Sequence, residues 1–220
     1  MFSLPEDFGS DSPILRAVTD LGDTALLAVC VIVAVIILLR SGSRREALVL
    51  AGAFATTGFC IMLLKFAFLD CLLQVAGMHL QSPSGHASMS AGVIGAAAVL
   101  VARRQRSWVG KSLILLPALI LVLTIGVSRV LLGCHTPDEV KVGLVVGSLV
   151  TVLASLCLRG APMPKVSGRL LLPALVVTLL FMHGSQLPIE ETIRQIAMMI
   201  RPMVGAPEEC TRVDLPPDQR

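Results

Sequence analysis

Six apolar runs, separated by more polar segments, restrict this chain more than any other feature of it: Thr24 to Leu39, Ala47 to Leu69, Gly85 to Val101, Ser112 to Leu132, Val140 to Leu158 and Leu170 to Met182. A bilayer core needs about 20 apolar residues per helix, so the first and last runs are short and the other four are of spanning length. The runs are continuous and show no period-two alternation, which predicts helices and excludes a membrane barrel. With 55% hydrophobic residues in 220 and a mean hydropathy of +0.83, the expected fold is all-α, a polytopic bundle of about six transmembrane helices. Three units follow: an outer N-terminal segment over 1–23, a membrane domain over 24–183, and an outer amphipathic helix and tail over 184–220.

The net charge of +3 matters less than its distribution. Arg40, Arg44 and Arg45 follow the first run; Arg103, Arg104, Arg106 and Lys111 lie between the third and fourth; Arg159, Lys165 and Arg169 lie between the fifth and sixth. The alternate loops hold few cations, so the positive-inside rule sets both termini outside; the small size and bare architecture suggest a bacterial-type protein, multi-pass in an inner (cell) membrane. Met1 to Asp23 is acidic and lacks a basic start before an apolar core, so no cleaved signal peptide is expected. Cys30, Cys60 and Cys157 fall within runs and read as small apolar packing residues, while Cys71 and Cys134 fall on the outer side, where a disulfide or two free thiols both fit. Ile189, Ile193, Ile196, Ile200 and Met203 recur at helical spacing before a proline-rich charged tail. Basic residues dispersed over short loops give no footprint for nucleic acid.

Charge at a span end needs a reason, and the outer ends hold a cluster of it: Lys65, His86, Arg129 and His135. In Gly126 to Val140, Gly133 reads as a helix stop and Thr136-Pro137 as a helix start, which puts Cys134 and His135 in the turn between two spans. Arg129 lies about one turn below the stop and can reach the same mouth. Ser82-Pro83 reads as the N-cap and first residue of the third span, leaving the N–H groups of Ser84, Gly85 and His86 to face an anion with the helix dipole behind them. A lone histidine at a helix boundary is more often structural than catalytic, and His79 and His183 keep that reading. His86 and His135 each come with anion-binding groups, and phosphoryl chemistry has a use for both, one imidazole to attack phosphorus and one imidazolium to protonate the leaving oxygen.

These residues resemble the motifs of the type 2 phosphatidic acid phosphatase family of membrane lipid phosphatases, which shares its phosphate site with vanadium haloperoxidases. The Pro-Ser-Gly-His motif stands intact as Pro83 to His86, and the Ser-Arg, five residues, His, three residues, Asp motif stands as Ser128-Arg129 and His135, with Glu139 at the aspartate position. The first motif, Lys, six residues, Arg-Pro, is half present: Lys65 is followed at those positions by Leu72-Leu73. The resemblance covers roughly residues 47–158 and implies a metal-independent, cofactor-free phosphatase. His135 would be the nucleophile forming a phosphohistidine and His86 the acid. Arg129, Lys65, Ser84 and the Gly85 N–H would hold the phosphoryl oxygens.

Two roles stay open at this level. Lys141, one turn into the fifth span, either replaces the missing arginine or pairs with Asp138 at i,i+3. Glu139 either orients His135, as a triad carboxylate does, or closes a capping box with Thr136; one carboxylate is not expected to do both, so Asp138 shares the orienting role. The expected substrate is a lipid phosphate or polyprenyl diphosphate, its chain in lipid and its phosphate at the headgroup layer. Undecaprenyl diphosphate, phosphatidylglycerol phosphate and phosphatidate all fit. The competing readings are a lipid phosphotransferase using the same histidines and a decayed protein that binds anionic lipid headgroups. A small transporter fits less well, since the charges gather at one surface and do not line the midplane.

Overall fold

The computed structural model describes residues 12–69 and 82–160, and every described element is helical. In chain order these are α1 (Pro13–Asp20), α2 (Thr24–Arg40), α3 (Arg44–Leu69), α4 (Gly85–Ala102), α5 (Trp108–Leu131) and α6 (Pro137–Cys157). Four of them, α3 to α6, are long and apolar enough to cross a membrane; α1 and α2 meet at a 42° bend and together make a fifth candidate. The described residues thus hold four or five spans against the six expected. The sixth run, the amphipathic segment, the tail, Cys71, His79, His183 and the Leu72-Leu73 departure all lie outside them.

The starts and stops follow local chemistry. Asp23 caps α2, accepting from the N–H groups of Ala25 (2.8 Å) and Leu26 (3.1 Å), and Ser107 caps α5 through the Gly110 N–H (3.0 Å). Gly133 ends the α5 segment at φ 67°, the left-handed conformation a glycine adopts without penalty. Loop residues extend the helices past the apolar runs, Arg44 to Glu46 before α3's apolar run and Trp108 to Lys111 before that of α5, so both begin earlier than the hydropathy alone predicts. At the arginine-rich end, Arg45 donates to the Cys157 carbonyl (2.7 and 3.0 Å) and closes α6. Cys30 and Cys60 are half-buried, while Cys157 is exposed at that helix end and does not pack as a core residue.

The bundle is organised around α4. Within its membrane-length window 61% of α4 is buried, against 28% in each of α3, α5 and α6, which makes α4 the helix the others surround. Outward faces remain apolar, as Leu113, Leu119, Val145 and Leu149 illustrate, and meet lipid. Without a hydrophobic force between helices in a bilayer, close approach at small residues does the work. Gly143 and Gly147 of α6 sit against the first turns of α4: a Cβ at Gly143 would come within 2.5 Å of the Ser84 carbonyl oxygen, and one at Gly147 would collide with that of Ser88 and stand 2.6 Å from Ala91 Cβ.

Within α4, residues Ser90–Ile94 widen to a π-helical turn whose carbonyls lose ideal partners. Thr151 of α6 supplies one, its hydroxyl donating to the Ala91 carbonyl at 2.7 Å. Replacing Gly147 by alanine is therefore expected to destabilise the bundle by about 1 to 3 kcal/mol through overpacking. Gly52 of α3, where a Cβ meets nothing within 4 Å, is the control, and alanine there is expected to leave the midpoint unchanged or raised. Thermal unfolding of the two variants in detergent measures both.

Candidate functional site

One end of the bundle collects the C-terminal end of α3, the start of α4, the α5–α6 turn and the start of α2. At the α5–α6 turn, the Arg129 carbonyl accepts from the N–H groups of both Cys134 (3.1 Å) and His135 (3.3 Å), so the arginine and the histidine are tied through the backbone. Thr136 then caps α6 with Pro137 in the first turn: its hydroxyl accepts from the Glu139 N–H (3.3 Å), and its own N–H donates to Glu139 Oε2 (3.1 Å). Oε2 also takes a hydrogen bond from Nδ1 of His135 at 2.9 Å.

Glu139 therefore does both jobs that the local reading set against each other. A carboxylate oxygen has two lone pairs, and the helix start turns the His135 ring and the Thr136 N–H toward the same one. A carboxylate only accepts, so Nδ1 carries the proton and a neutral ring keeps its lone pair on Nε2. Asp138 does not share that work. It receives the Lys141 ammonium at 2.8 Å on the surface, with the Lys141 side chain 71% exposed, so this pair takes the i,i+3 alternative and stands apart from the buried cluster.

The α4 side is joined to the same residue. Glu139 Oε1 accepts from the Ser82 N–H (2.8 Å), and its backbone carbonyl accepts from the Ser84 N–H (3.1 Å). The buried carboxylate is thus met by three N–H donors, which offsets the loss of its hydration. These bonds move the expected helix start. Ser84, not Ser82, is the N-cap, its hydroxyl lying 3.5 Å from the Ala87 N–H, and α4 begins at Gly85. The Ser84 N–H is spent on Glu139, and the N–H groups of Gly85 and His86 belong to the first turn of α4.

Lys65 is buried at 4% exposure and does not snorkel outward; its Cε lies 3.8 Å from where a Cβ on Gly85 would stand, so its stem packs against the first turn of α4. Arg129 keeps a buried Nε with no hydrogen-bond partner among the described residues. A buried guanidinium N–H of that kind is costly unless an acceptor arrives. His86 lies at the same end, with Nε2 4.0 Å from Oδ2 of Asp23. Asp23 was visible in the sequence only as an acidic residue before an apolar run; nothing local relates it to His86, since the helices α2 and α3 intervene in the chain. Cys134 is a free thiol.

Two histidines, a buried lysine and a guanidinium N–H with no hydrogen-bond partner among the described residues, gathered at one end of a helix bundle, form an arrangement suited to a phosphoryl group. A Klebsiella pneumoniae protein described as "Uncharacterized 22.5 kDa protein in cps region" is 26% identical over 196 residues, covering 87% of this chain and 92% of that one. No solved structure matches the chain at a significant level. The sequence profile of the PAP2 superfamily matches residues 22–162, which takes in α2 to α6 and every candidate site residue. The chain, a multi-pass membrane helix bundle, therefore belongs to the PAP2 superfamily of phosphatase-type lipid phosphate hydrolases.

Proposed function

We propose that this protein hydrolyses a lipid phosphate or polyprenyl diphosphate at the outer face of the cell membrane through a phosphohistidine on His135. The observation that carries the reading is Glu139, which holds Nδ1 of His135 at 2.9 Å and at the same time ties down the start of α4, from which His86 projects. In the first step Nε2 of His135 attacks phosphorus as the bond to the lipid oxygen breaks, and His86 gives its proton to that oxygen. Water then attacks the phosphohistidine, His86 takes the proton back, and phosphate leaves with His135 restored.

Lys65, the orphaned Arg129 Nε and the N–H groups of Gly85 and His86 would bind the nonbridging oxygens and match the charge that spreads over them in the transition state. No step calls for a metal or cofactor. Ser84 contributes through the helix start it caps. Lys141, paired with Asp138, is left as a second-rank candidate for headgroup contact at the rim.

Orientation is supported by the opposite end, where Arg40, Arg44, Arg45, Arg103, Arg104, Arg106 and Arg159 gather. That end faces the cytoplasm and the histidine end faces outward, where an amphiphile keeps its chain in lipid while its phosphate enters. Turnover by the purified protein of a panel of lipid mono- and diphosphates, measured with and without chelator, tests the reading. Phosphate release that persists in chelator and is inhibited by vanadate is the expected outcome; a strict metal requirement rules the histidine mechanism out. Labelled phosphate appearing on an added acceptor lipid would identify a transferase, and stoichiometric binding with no turnover would identify a headgroup-binding protein.

A further inference from the structure

The α1–α2 turn is pressed against the start of α4. A side chain at Gly22 would meet Ile125 Cγ2 at 2.7 Å and the His86 carbonyl oxygen at 3.3 Å, so only a glycine lets the turn lie there. The next residue, Asp23, divides its carboxylate between two tasks. Oδ1 caps α2 through Ala25 and Leu26, which fixes the side chain, and Oδ2 is left pointing at Nε2 of His86 across 4.0 Å, both side chains being 19% exposed.

We propose that Asp23 is the positioning residue for the acid of this reaction, its carboxylate holding His86 as the imidazolium that protonates the leaving oxygen. The inference rests on the lipid phosphatase reading given above. It is the charge balance at this end of the bundle that requires such a group. Lys65 from α3 and Arg129 from α5 are cations and oppose a further positive charge on His86. Glu139 of α6 is committed to His135, Asp138 to Lys141, and Asp20 closes α1 in the turn before Asp23. Asp23 faces His86 at ion-pair range, and at partial burial its field is only partly screened. On transfer, the imidazolium N–H bond breaks as the new O–H bond forms; His86 becomes neutral and the lipid alcohol departs uncharged. Asp23 stays ionised throughout.

Asp23→Asn separates the two tasks, because asparagine caps a helix as well as aspartate does and carries no charge. The experiment measures kcat and KM of this variant and of His86→Gln on a short-chain phosphatidate, whose alkoxide needs a proton to leave, and on para-nitrophenyl phosphate, whose phenolate does not. Expected for Asp23→Asn is a fall in kcat on phosphatidate of about tenfold or more, with KM and aryl phosphate turnover held within about threefold, and an unchanged unfolding temperature in detergent. Asp23→Ser, a second charge-free cap, should give the same split. Equal losses on both substrates, or no loss on phosphatidate, overturn the proposal. If His86→Gln shows the leaving-group split and Asp23→Asn does not, the Asp23 assignment alone falls; if His86→Gln leaves phosphatidate turnover intact, the acid role of His86 falls with it.

Discussion

Replacing His135 by asparagine is expected to lower lipid phosphate turnover by at least about a thousandfold while the protein still folds. Asparagine places an amide N–H close to where Nδ1 stands, so the buried Glu139 oxygen keeps a donor, and the turn tolerates the residue well. What disappears is Nε2, the atom proposed to attack phosphorus. Two readings should change together. Steady-state release of phosphate falls, and protein-bound label, acid-labile and alkali-stable after quenching with radiolabelled substrate, is lost with it. Retention of even a tenth of wild-type turnover would mean that another group makes the first bond, and the phosphohistidine would have to be given up.

Glu139 is the second position of large effect, and there the expected order of variants runs against family resemblance. Aspartate occupies this place in the family motif, yet Glu139→Asp should be damaging in this chain. The longer side chain reaches the Ser82 N–H at 2.8 Å with one oxygen and His135 Nδ1 at 2.9 Å and Thr136 N–H at 3.1 Å with the other. One methylene fewer cannot span all three. We expect kcat to fall about tenfold to a hundredfold and stability by about 1 to 3 kcal/mol, since a buried N–H is left unpaired. Glu139→Gln should cost more activity, about a thousandfold, because its NH2 group faces a donor and turns the imidazole to the wrong tautomer. Circular dichroism melts and kcat on phosphatidate, taken together, check the order; a Glu139→Asp enzyme as active as the parent would show that the bridge to Ser82 is dispensable.

The helices were readable from hydropathy, and their ends from capping residues, because both are decided within a few residues of chain. Thr136, Pro137 and Gly133 behave as their local chemistry dictates, and α2 begins at Thr24 as the first apolar run does. The N-cap of α4 lies two residues beyond the Ser82 cap that local chemistry predicts. Ser82 and Ser84 are both adequate N-caps by composition, and the choice falls to Ser84 because Glu139, from α6, takes the N–H groups of both serines. The same carboxylate resolves the competition between capping and orienting roles, which no local rule could do, since the answer lies in which lone pairs face which donors.

Periodicity and motif spacing alone determined that this chain is a helical membrane protein with two histidines and two basic residues gathered at one set of span ends. Those properties depend on the order of residues along one chain, where burial in lipid and helix geometry leave few alternatives. Only the packing of α4 among its neighbours decided how those groups meet: that Gly143 and Gly147 let α4 and α6 touch, that one glutamate joins both histidine segments, and that Asp23 comes from the far end of the sequence to face His86. Contacts of that kind depend on side-chain reach across helices, at angstrom scale, between residues whose separation along the chain carries no information about their separation in space.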